Sequence, residues 1–272
     1  MNQLLAIYGW TIAASMILAA GLALLGTQLA ARDRAMQTLC MGQGAMLGVL
    51  LGLGLAVHPL LPLIAALASA ALTFAVSEFL VARRMASSNT HFSSLFAVLL
   101  AGGYLISALF PALENHMAQK YFGDLATLSA EESYWVLIMG LILLLLMTLF
   151  HRRFTCESFE KSITGVSHPG RVPFSTFDVI TLVTLCFCVQ TVGYLFTIAC
   201  LFIPTAVASR QLAAGLRRHL WFCGVTAFVA SGAGFFLSLE STRMPTVPTI
   251  IAVMLLVSLV FSPLFAGRRR HR

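Results

Sequence analysis

An all-α polytopic membrane protein is the fold class the sequence predicts, and three observations carry it. Of the 272 residues, 59% are hydrophobic and only 10% are charged, where soluble domains carry about 25% charged residues. Apolar runs, most of them long enough to cross ~30 Å of hydrocarbon, recur along the whole chain. The 17 basic residues are not scattered but fall mostly in alternate gaps between those runs.

The runs place nine spans, at residues 5–31, 36–57, 59–81, 92–112, 134–150, 175–190, 193–208, 220–238 and 249–265. The first is too long and lacks the basic flank of a cleavable signal, so it is expected to stay as a helix. The second carries Cys40, Gly44, Gly48, Gly52 and Ala56 every four residues. That is a stripe of small side chains against which another helix packs closely, so this span reads as an interior helix. Gln43 sits at the edge of the stripe, a polar group at membrane depth that needs a partner. The fourth span holds Gly102 and Gly103 and ends at Pro111, the seventh contains Pro204, and the eighth has Gly232 and Gly234. These are positions where helices bend or pack closely.

The sixth and seventh spans are short for two crossings, yet one helix over 175–208 would be ~51 Å long. Charge separates the alternatives. With the N-terminus outside and nine spans, 15 of the 17 basic residues lie inside, leaving only Lys120 and Arg243 outside. Merging the two spans would put Arg210, Arg217, Arg218 and the C-terminal arginines outside. The expectation is therefore two spans, an external N-terminus, and a cytoplasmic C-terminus. No segment between these spans is long and polar enough to fold alone, so residues 1–272 read as a single transmembrane domain.

Two connecting segments have character of their own. In the external segment 113–133, Ser129 and Glu132 have the spacing of a capping box, predicting a short interfacial helix. The internal segment SRQLAAGLRRHL, residues 209–220, places Leu212, Leu216 and Leu220 on one helical face. From the residues alone, a basic anchor on the membrane surface and a docking helix for a partner are both open.

Catalytic signatures are absent: there is no HExxH, no GxSxG and no Walker A lysine motif. A non-catalytic membrane subunit without a cofactor is expected, and the basic balance reflects topology rather than nucleic-acid binding. Glu78 and Asp178 stand near span ends, where a charge has a structural reading, and no acid/His chain crosses the bilayer as in an ion-driven carrier. None of the six cysteines forms a CxxC pair. Cys186 and Cys188 point ~200° apart on a helix, so they read as packing residues. His58 and His116 are isolated. A many-span chain of this kind is most economically a transporter subunit whose ATP coupling comes from a partner. A non-transport subunit dimerising through the glycine stripe is the competing reading.

Several stretches then resemble the permeases of zinc/manganese-type bacterial ABC importers. In VGYLFTIACLFIPTAVASRQLAAGLRR, residues 192–218, the family pattern is met by Gly193, Ile203, Pro204, Ala206, Ala208, Arg210 and Arg217–Arg218. MPTVPTIIAVMLLVSLVF near the C-terminus, the Tyr121-Phe122-Gly123-Asp124 element and MLGVLLGLGLAVHP from Met46 are similar to further family stretches, in the same order. The resemblance implies a type II-like importer permease in the bacterial cytoplasmic (inner) membrane. It implies a second permease copy (a homodimer or a paired permease), a cytosolic ABC ATPase dimer and an extracytoplasmic substrate-binding protein as partners. Residues 209–220 would be the coupling helix, with Arg210, Gln211, Leu212, Gly215, Arg217 and Arg218 as ATPase contacts.

The departures are as informative. The family's second span carries an Asp and a His four residues apart, which suit Zn²⁺ or Mn²⁺. Alignment on Gly48-Val49 puts Leu39 and Gln43 at those positions, and Arg243 replaces a further acidic residue. Leu39, Cys40 and Gln43 are thus expected on the transport pathway without forming a metal site. A metal passing without a tight midplane site, ligands from a paired permease, and a chelate or organic cargo all remain open.

Overall fold

The computed structural model describes residues 2–55, 58, 60–82, 88–164, 175–208, 216–241 and 244–265. All regular structure among them is helical: α1 Asn2–Ala31, α2 Ala35–Leu55, α3 Leu61–Ala82, α4 Ser88–Leu109, α5 Glu114–Phe122, α6 Ala130–Thr164, α7 Thr176–Thr191, α8 Tyr194–Ala208, α9 Leu216–Glu240 and α10 Thr246–Phe265. Short 3₁₀ turns at Pro111–Leu113 and Leu125–Thr127 flank α5. Among the described residues six helices are long and apolar enough to cross a membrane, and α7, α8 and the Thr246–Phe261 part of α10 are shorter apolar helices.

Residues 175–208 form two helices. The break is at Gly193, which has a φ of 98°, a conformation that costs an L side chain far more than glycine. The amides of Val192 and Gly193 both donate to the Cys188 carbonyl and close the last turn of α7. With 16 and 15 residues, the two helices are ~24 and ~22 Å long, each shorter than the hydrocarbon core.

Two expectations about connecting segments change. Ser129 and Glu132 do form a capping box, with the Ser129 amide donating to Glu132 Oε2 at 2.9 Å and the Glu132 amide to Ser129 Oγ at 3.2 Å. The box opens the 35-residue α6, whereas the short helix of this region is α5, upstream. Helix α6 also continues well past Phe150, because its polar end makes its own contacts: Arg153 pairs with Glu157 one turn on at 3.3 Å, and Phe154 packs edge-on against Phe177.

The chain divides into two compact units. Unit 1 comprises Met1–Ala30, Asp124–Arg152 and Phe196–Arg272. Its central helix is α1. A Cβ on Gly26 would strike the Leu201 carbonyl oxygen of α8, one on Gly21 would meet Leu143 of α6, and Met16 presses on Gly232 of α9. Gly234 lets α9 approach the backbone of α10 at Ile250. Buried hydroxyls pair across the helices, Thr11 with Ser133 at 2.9 Å and Ser231 with Ser15 at 3.3 Å.

Unit 2 comprises Ala31–Gly123 and Arg153–Leu195, and α2 is its interior helix. Gly44, Gly48 and Gly52 leave no room for a side chain, because α3 fills the space at Thr73, Ala65–Ala66 and Pro62. The stripe is therefore covered from within the same chain, which removes it as the dimerising surface of a non-transport subunit.

Candidate functional site

In unit 2 a tight turn between α1 and α2, with Asp33 in the left-handed region at φ 54°, turns two arginines inward. Asp tolerates that conformation better than most residues. Arg34 Nη1 donates to Asp178 Oδ1 of α7 at 2.6 Å, and Nη2 lies 3.6 Å from Glu78 Oε1 of α3. Gln37, one turn into α2, donates to both Glu78 and Ser77 at 2.8 Å. Asp178 also accepts from the Ser175 amide at 3.0 Å in the capping box of α7. Both acidic residues noted in the sequence are thus ion-paired and hydrogen-bonded to α2, a structural duty.

Arg32 lies with its guanidinium 3.9 Å from the centre of the Phe177 ring, and Nη2 donates to the Phe154 carbonyl at 2.9 Å. Burial pulls its pKa down, opposed by Asp178 and Glu157; an arginine starts high enough to stay charged. The charge pattern of the sequence had assigned both arginines to membrane topology alone.

One turn deeper in α2 stand Leu39, Cys40 and Gln43. Cys40 is buried, and its thiol donates to the Phe92 carbonyl of α4 at 3.1 Å. Leu39 is half-buried, and its carbonyl accepts from the Tyr194 hydroxyl at 3.3 Å. Gln43 is only 2% exposed, and its side-chain amide meets that same hydroxyl. A carboxamide can turn either its nitrogen or its oxygen to a partner, and its oxygen alone is a weak ligand for a dication. Among the described residues, no three His, Cys, Asp or Glu side chains converge on one point.

Tyr194 was not singled out by sequence reasoning, yet its position is firmly set. A Cβ at Gly193 would lie 2.5 Å from the Gly123 Cα, so the two glycines allow the chain after α5 to rest on the α7–α8 break. Lys120 Nζ donates to the Gln190 carbonyl at 2.6 Å, at the negative end of α7. Tyr121 packs on Tyr194 with ring centres 5.6 Å apart. Two stretches far apart in sequence, Tyr121–Gly123 and Val192–Gly193, thereby meet and aim the Tyr194 hydroxyl at α2.

In unit 1, Arg217 and Arg218 are exposed in the first turn of α9. Residues 216–220 continue into α9 rather than forming a helix of their own. Arg210, Gln211, Leu212 and Gly215 lie outside the described residues.

The model of the ABC 3 transport family matches residues 5–265, nearly the whole chain. The chain belongs to the ABC 3 transport family. Among curated relatives it is 23% identical over 184 residues to an uncharacterized membrane protein of Synechocystis sp., covering 64% of this chain and 63% of the other. It is also 23% identical over 266 residues to the manganese transport system membrane protein MntC of Bacillus subtilis, covering 93% of this chain and 60% of the relative. The chain thus spans somewhat over half the length of both. The fold matches PsaBC from Streptococcus pneumoniae, solved in complex with a Fab, with a TM-score of 0.79 and 18% identity over 99% of this chain and 96% of that one. This ABC 3 chain is accordingly a multi-pass membrane protein with the helical fold of an ABC permease.

Proposed function

We propose that the protein is the membrane subunit of an ATP-driven importer for a divalent metal cation (zinc, manganese or iron) or a metal complex. The observation that carries this reading is the ABC 3 family match over residues 5–265. The likeness to MntC, a membrane protein of a manganese transport system, supports metal as the cargo class. The subunit hydrolyses nothing itself. A pair of cytosolic ABC ATPases supplies the energy, an extracytoplasmic binding protein delivers the cargo, and a second permease copy completes the pathway.

The protein crosses the bacterial inner membrane nine times, with the N-terminus outside and the C-terminus in the cytoplasm; the distribution of 15 of 17 basic residues supports this. Residues 209–220 provide the ATPase contact, through Arg210, Gln211, Leu212, Gly215, Arg217 and Arg218. Leu39, Cys40 and Gln43 line the cargo route.

The buried Gln43 carboxamide, with no cluster of His, Cys, Asp or Glu among the described residues, favours the metal-complex form of this reading. A carboxamide donor binds the oxygen or nitrogen acceptors of a chelating molecule, whereas a bare dication calls for carboxylate or imidazole ligands. Tracer uptake by cells with and without the gene tests the proposal. Uptake of zinc, manganese or iron, free or chelated, is expected to fall when the gene is removed. Equal uptake of all of them would replace metal with an organic solute as the cargo.

A further inference from the structure

His219 is the fourth residue of α9 and follows the exposed pair Arg217–Arg218, yet it is only 5% exposed. Its Nδ1 lies 3.2 Å from the carbonyl oxygen of Ala208, the last residue of α8. That carbonyl is among the four at a helix end that have no partner within their own helix. A carbonyl only accepts, so Nδ1 carries the proton and Nε2 presents its lone pair. The group facing Nε2 is the buried thiol of Cys223, with Sγ 3.9 Å away. Thr205 of α8 interacts with the same thiol, and its own hydroxyl donates to the Leu201 carbonyl at 3.0 Å.

Both ring nitrogens are therefore engaged, one across to α8 and one along α9. The bond runs from the fourth residue of α9 to the last residue of α8, the two helices between which positions 209–215 lie. A buried imidazole is a rigid donor with few rotamers, and burial keeps water from competing for the carbonyl.

We propose that His219 is a positioning residue for ATPase coupling: its bond to the Ala208 carbonyl holds the first turn of α9 against the end of α8, the two helices that segment 209–215 connects. The proposal rests on the reading of that segment as the ATPase contact. It assigns no ATPase contact to His219 itself, which faces inward. Arg217 and Arg218, on the exposed side of the same turn, are thereby held in a fixed relation to the end of α8.

The test uses the full-length permease co-expressed with its ATPase subunit, and reads the affinity of the ATPase for the permease in detergent. His219→Asn keeps an N–H donor at the distance of Nδ1 from the backbone. His219→Gln carries its donor one methylene further, and His219→Leu has none. The Asn variant is expected to bind the ATPase within about twofold of the wild type, while Gln and Leu weaken it about tenfold. A general loss of stability would lower the folded yield of the variants without separating Asn from Gln, two amides differing by one methylene. A Gln variant that binds like the wild type overturns the proposal, including where the Leu variant fails to fold. Replacing 209–215 by a Gly/Ser linker in parallel separates the two claims. If the ATPase still binds, the segment is not its contact; if binding is lost while the Gln variant binds normally, only the role of His219 fails.

Discussion

Close approach in this protein is decided residue by residue, and the glycines show it best. Gly48 of α2 abuts the Ala65 carbonyl and the Ala66 backbone of α3, both backbone groups that cannot swing aside. Gly9 of α1 has nothing within 4 Å of where its Cβ would stand. Gly48→Ala is expected to lower stability by about 2 kcal/mol through overpacking. Gly9→Ala is expected to be neutral or to stabilise by up to about 1 kcal/mol through helix propensity. Unfolding of both variants in mixed micelles checks the contrast, and equal effects would mean that α2 and α3 are not in close contact. The four-residue stripe on α2 was legible in the sequence because its period is helical. Gly26 was not, although its position against Leu201 is just as crowded, because a lone glycine in an apolar helix carries no periodic signal. Tyr194 and His219 were missed for the same kind of reason: each acts on a carbonyl remote in sequence.

At the scale of elements, the polar ends of the helices hold what the apolar faces leave undetermined. Arg34 ties the start of α2 to the end of α3 and the start of α7, with Asp178 only 4% exposed. Removing one partner of a buried pair leaves the other charge uncompensated. Asp178→Asn, which retains an acceptor for the Ser175 amide, is expected to cost about 2 kcal/mol. The Arg34→Gln, Asp178→Asn double variant is expected to cost less than the sum of the two single changes; strict additivity would show that the pair does not interact. Apolar helices were readable from run length, and the division at residues 192–193 from the balance of charge. The long polar end of α6 was not, because HRRFTCESFEKSIT has the composition of a loop. Its helix is held by the Arg153–Glu157 pair along its own face and by Phe154 against Phe177, a contact that exists only once α7 is in place. The Ser129–Glu132 cap was recognisable, but the helix it starts is α6 because the apolar run beginning four residues later continues it without a break.

At the scale of the whole molecule, the family was legible from stretches kept in one order along the chain, whereas the cargo was not. Leu39 and Gln43, an aliphatic and a carboxamide, stand where the family resemblance read from the sequence implies an acid and an imidazole. The structure surrounds them with a phenol, a thiol engaged by α4 and a backbone carbonyl engaged by Tyr194. Nothing in that set chelates a dication by itself. ATP-driven import of a metal species nevertheless remains the function this chain's membership of the ABC 3 transport family supports best. Proteoliposomes containing the permease with its ATPase and binding protein test it most directly, by following manganese, zinc and iron, free and chelated, with and without ATP inside the cytoplasmic compartment. The account predicts that at least one metal species is transported only when ATP is hydrolysed. Transport that is equal with and without ATP, or absent for every metal species while ATP is consumed, would contradict it.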